Sequence, residues 1–118
     1  MPALPMAASS TAFPIRPLVQ GGPSGAVTVT ATRGAVRLHV VVRGLVPGSA
    51  HAIHDHLGLC GDANVSDHLR VLGVPVADAT GTAVADAVVP AFDAGPGRIL
   101  IVYASPVPAV ITGCAGIG

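Results

Sequence analysis

The sequence predicts an all-β domain, an antiparallel Greek-key sandwich or barrel of seven to eight short strands. Three observations carry this. Gly and Pro contribute 15 and 11 of the 118 residues, about twice their average share, and punctuate the chain every few positions. Between them the apolar residues are largely Val, Ala and Ile in short runs, side chains that suit a pleated, half-buried surface. Several of those runs alternate apolar and polar residues with a period of two.

Residues 1–24 carry Pro2, Pro5, Pro14, Pro17 and Pro23. They read as an irregular N-terminal segment with an edge strand over about 12–19, since Pro is excluded from central strands. The barrel domain is expected over residues 25–118. In 26–32, Val27, Val29 and Ala31 alternate with threonines. Arg33-Gly34 then turns the chain into a strand over 35–43, whose Val36, Leu38, Val40 and Val42 share one face. After the loop Gly44-Leu-Val-Pro-Gly48, a strand is expected over 49–56, then a polar, loop-like stretch over 57–70. Further strands are expected over 71–77, 82–89, 98–104 and 107–112, with turn residues at 78–81, 93–97 and 105–106 between them.

Composition narrows the function. The chain is 51% hydrophobic and 10% charged, with net charge zero from six Arg and six Asp. Neutrality argues against a nucleic-acid backbone or an anionic membrane surface as partner. A 3% aromatic content leaves little for stacking on bases or sugars. No run of 18 apolar residues occurs, so no helical membrane span is expected. The first residues lack a basic n-region and do not read as an intact secretory signal.

Five histidines stand among these few ionisable groups. His51, His54 and His56 fall within six residues of one expected strand, where His54 and His56 point to the same face and His51 to the other. Two imidazoles on one face form a bidentate clamp for a borderline metal ion, and His68 can fold back as a third ligand. His39 lies with Arg37 and Arg43 on an expected solvent face. Cys60 and Cys114 read either as one disulfide, stabilising the fold by roughly 4 kcal/mol on the chain-entropy model, or as two buried thiols.

Six segments in order resemble the copper/zinc superoxide dismutases. They are Gly25-Ala-Val-Thr-Val-Thr-Ala-Thr32; Val36-Arg-Leu-His-Val-Val-Val-Arg-Gly-Leu-Val-Pro-Gly48 followed by His51-Ala-Ile-His-Asp-His56; Gly58-Leu-Cys-Gly-Asp62; Leu72-Gly-Val-Pro-Val-Ala-Asp-Ala-Thr-Gly81; Gly97-Arg-Ile-Leu-Ile-Val-Tyr103; and Gly113-Cys-Ala-Gly-Ile-Gly118. The resemblance implies that Cys60 and Cys114 form the family's intrasubunit disulfide. It implies that His54 and His56 are copper ligands and that His51 is a framework histidine supporting the site. Family habit further implies a homodimer and an extracytoplasmic or secreted setting.

The departures fall at the chemistry. Tyr103 stands where the family has its last copper-ligating histidine, and is assigned a supporting role. Val110, Ile111 and Thr112 occupy the stretch where the family has an arginine that attracts superoxide, leaving Arg70 or Arg98 to take its place. The zinc loop is contracted to residues 60–68, His68 aligns with either a zinc ligand or the bridging histidine, and Val71 replaces a zinc-binding aspartate. Copper on His54, His56 and His68 is therefore expected, and a full dinuclear copper/zinc site is not. Three functions remain open: a copper-only dismutase acting on superoxide, a non-catalytic copper-binding module, or a structural sandwich that has lost metal.

Overall fold

The computed structural model describes residues 9–61 and 68–118. Eight strands occur among them: β1 (Ser10–Pro17), β2 (Ser24–Thr32), β3 (Ala35–Arg43), β4 (Ile53–Leu57), β5 (His68–Gly73), β6 (Ala83–Pro90), β7 (Arg98–Tyr103) and β8 (Ile111–Gly116), with one 3-10 turn at Ala91–Asp93. Their order is β5-β4-β7-β8-β1-β2-β3-β6, and every pairing is antiparallel. The result is a nearly closed Greek-key barrel.

The alternating sequence of β2 and β3 explains their long, regular ladder from Ser24↔Arg43 to Thr32↔Ala35. Val36, Leu38, Val40 and Val42 turn inward and meet Ile15, Val27, Ile53, Leu72, Leu100 and Val102 in the main core. β1 pairs with β2 over Ser10–Ile15 and then with β8 at Arg16 and Pro17. The proline-rich segment is thus an edge of the first sheet that crosses into the second.

Three expected strands shift. The expected strand over 49–56 begins only at Ile53, because residues 48–52 spend their backbone groups on other partners. Gly48 N–H donates to Ala77 O, His51 N–H to Pro75 O and Ala52 N–H to Ser105 O. The strand expected over 71–77 runs from His68 to Gly73 instead, since Pro75 has no N–H for a ladder. The last strand is Ile111–Gly116 rather than 107–112, because Pro106 and Pro108 leave Val107 and Val110 exposed in a loop. Gly113 suits β8 through close packing: a Cβ there would lie 3.3–3.5 Å from Pro23, Ile15 and Val102.

β7 is buried on both faces. Leu100 and Val102 join the main core, while Ile99, Ile101 and Tyr103 pack with Ala52 and Cys114 in a second cluster on the barrel's outer wall. That second cluster is the floor of the histidine site.

Candidate functional site

β4 lies between β5 and β7, with His54 opposite Ile101 and His56 opposite Ile99. Strand alternation therefore sends both histidines outward onto the β7 floor, while Ile53 and Asp55 turn inward. Both histidines are buried, at 7% and 3% exposure. His68 opens β5 opposite His56 and remains exposed. Ring centroids are 5.9 Å apart for His54–His56, 4.5 Å for His54–His68 and 5.3 Å for His56–His68. The structure thus brings together the three imidazoles singled out in the sequence. Among the described residues, however, no three His, Cys, Asp or Glu side chains are arranged as a metal-holding group.

Tyr103 completes the cluster. Its ring lies 4.9 Å from that of His54, and its hydroxyl is 3.0 Å from His56 Nε2. Burial raises the Tyr103 pKa, so the phenol keeps its proton at neutral pH and can donate it to that nitrogen. Burial, then the neighbouring His68 and His56, lower the His54 pKa. His54 is accordingly a neutral imidazole with a lone pair available at neutral pH.

His51 lies just before β4. Its Nδ1 is 2.8 Å from the Tyr103 carbonyl, which can only accept, so Nδ1 carries a proton; Nε2 lies 2.7 Å from Ser49 Oγ. The ring is buried and ties the 49–52 segment to the end of β7 that carries Tyr103. Such an outer contact orients the groups of a site without entering it. His39 sits on the far side of the barrel with its Nδ1 2.8 Å from Asp86 Oδ1, beside Arg37.

Cys60 and Cys114 form a disulfide, and the chain has no free cysteine. Cys114 pairs with Ile101 in the β7–β8 ladder, so the bond fastens the loop after β4 to the wall beneath the histidines. A cavity of about 390 Å³ beside it is lined by Arg16, Leu18, Cys60 and Cys114, among others, and by none of the histidines.

Neither arginine expected to attract an anion is free to do so. Arg70 is ion-paired with Asp93. Arg98 lies over the Phe92 ring at 4.2 Å and donates from Nε to Phe92 O at 2.7 Å. The residue opposite His54 on β5 is Val71, so the expected replacement of a carboxylate by an apolar side chain faces the site itself.

Asp55 is not among the residues singled out in the sequence, although the alternation within His54-Asp55-His56 sets it on the inner face. Asp55 is fully buried, opposite Leu100, and no side chain hydrogen-bonds its carboxylate oxygens. Burial, reinforced by the charge of Asp93 and opposed by Arg70 and Arg98, pushes its pKa up to about 7. Asp93 is likewise buried, which makes a second polar cluster on the inner side of β4.

No protein-family model matches the chain, and no curated protein sequence matches it. Among solved structures, the Cu/Zn superoxide dismutase from Brucella abortus is similar over 93% of this chain and 100% of that one, with a TM-score of 0.64 and 20% sequence identity. At that identity the likeness speaks to architecture, and it agrees with the nearly closed barrel of eight antiparallel strands: the chain has the fold of the copper/zinc superoxide dismutases.

Proposed function

We propose that the chain is a copper-binding domain of the dismutase fold, with His54, His56 and His68 as its ligands and dismutation of superoxide as a slow activity. The observation that carries this reading is the meeting of three imidazoles on one wall of the barrel, two of them buried. An ion about 2.0 Å from one nitrogen of each ring calls for ring centroids roughly 4.5–5.5 Å apart at angles of about 90–120°, and the measured separations of 4.5–5.9 Å lie close to that range. Imidazole is a good donor for copper and for zinc. The absence of a carboxylate at the Val71 position favours copper alone.

Bound copper would supply the one-electron couple needed to convert superoxide to oxygen and hydrogen peroxide. The protein's part is to orient the rings and to hold that of His54 neutral. His54 is kept neutral by burial, His51 fixes the Tyr103 carbonyl, and the Tyr103 hydroxyl lies within hydrogen-bond reach of His56 Nε2. That phenol stands where the resembling family has a further histidine, and it competes for the His56 lone pair. With Arg70 and Arg98 engaged elsewhere, electrostatic capture of an anion is weak, which favours copper holding over fast turnover. The disulfide fits an extracytoplasmic setting, and homodimerisation is an accompanying proposal.

Copper titration followed by elemental assay tests the site. One copper per chain is expected for the intact protein, with loss of binding in His54→Ala; unchanged copper content in that variant would sink the assignment. Cytochrome c competition on the loaded protein then separates turnover from holding. Inhibition that survives a chelator for free copper supports dismutation, and none leaves the holding role.

A further inference from the structure

Arg70 and His68 are two residues apart on β5 and both exposed, yet their cross-strand partners, Asp55 and His56, turn to opposite faces of the barrel wall. The β4–β5 register pairs Asp55 with Arg70 and His56 with His68, with an irregularity between the two pairs. Leu69 is therefore an extra residue, a β-bulge of the kind that re-aims a neighbouring side chain. Without it, alternation from the buried Leu72 through Val71 and Arg70 would put Leu69 opposite His56 and turn His68 inward. The inner face at that point is acidic: Asp93 is buried and ion-paired with Arg70, and Asp55 is buried with no side-chain hydrogen bond to its carboxylate. A second basic side chain brought to that face would find Asp93 already paired with Arg70.

We infer that Arg70 is a positioning residue: by pairing with the buried Asp93, beside Asp55, it keeps His68 on the outer wall next to His54. This rests on the proposed role of His68, and it adds that β5 has two competing registers between which Arg70 decides. The ion pair also ties β5 to the turn after β6, across a seam that has no ladder of its own.

The metal-free protein is sufficient for the test. Nuclear Overhauser contacts between the ring protons of His54 and His68 report their 4.5 Å approach, and those between His54 and Tyr103 report an intact floor. In Arg70→Met the His54–His68 contact should fall at least severalfold while the His54–Tyr103 contact persists. Arg70→Lys should keep both. Combining Arg70→Met with Asp93→Asn removes the competing acid and should restore the His54–His68 contact, a recovery that a merely structural loss would not show. Retention of the contact in Arg70→Met, its loss in Arg70→Lys, or failure of the double variant to recover it overturns the inference. Copper titration of the intact chain is scored separately. A chain that takes no copper removes the proposed function and leaves the ring-contact result standing.

Discussion

Reduction of the Cys60–Cys114 bond is the perturbation whose cost follows most directly from the structure. The two cysteines are 54 residues apart. Closing a loop of that length lowers the entropy of the unfolded chain by an amount worth about 4 kcal/mol at 25 °C. That is a large share of the stability of a domain this size. The folded state should lose little in return, because Cys114 stays packed against Ile99 and Ile101 as a thiol, while Cys60 is exposed and open to reductant. Urea unfolding followed by far-ultraviolet circular dichroism, with and without a phosphine reductant, measures the difference. With a slope of about 1.5–2 kcal/mol per molar urea for a small domain, the midpoint should drop by about 2–3 M on reduction. A drop below about 0.5 M would refute the reasoning, since it would mean that the unfolded chain gains little freedom from the cut.

Two further predictions concern carboxylates. Asp55→Val replaces a buried carboxyl group that no side chain partners with an apolar side chain of similar volume and leaves the Arg70–Asp93 pair in place; it should stabilise the fold by about 1–3 kcal/mol in the same urea assay, and destabilisation would contradict the burial argument. Asp86 has its pKa lowered from the usual 3.8 by His39 and then Arg37. Its contribution to stability is therefore present above pH 3.8 and lost as pH falls below that value through the folded-state pKa. Thermal melts between pH 2 and 5 should show a steeper acid limb for the intact chain than for Asp86→Asn, and superimposable limbs would count against it.

How far the sequence revealed the structure varied with how local the governing forces were. β3 occupies the expected residues 35–43 because one alternating run meets the core on one face along its whole length. His54 and His56 were legible for the same reason: their shared direction is a property of a single strand. β8 was displaced because Gly113-Cys-Ala-Gly116 has low strand propensity, and its place between β1 and β7 is set by close packing that no local pattern encodes. β5 was hidden in a polar stretch because its irregular register erases the period of two. The partners of His51, Ser49 Oγ and Tyr103 O, combine a neighbour with a residue 52 positions away. A contact of that second kind exists only once β4 and β7 are side by side.

The two terminal strands of the sheet order, β5 and β6, approach each other without a shared ladder; a Cβ built on Gly73 would sit 3.5 Å from the Ala85 Cβ. β1 joins the two sheets on the opposite side. Each end strand thus shields the other's unpaired N–H and C=O groups from neighbouring molecules. This matters for colloidal behaviour, because β6 carries the exposed Val84 and Val88 and its bare backbone would be a template for intermolecular sheet growth. Detachment of β5 alone uncovers that template. The onset of aggregation should therefore follow local opening of this seam, and ligands or substitutions that hold β5 in place should delay it without any change in global stability.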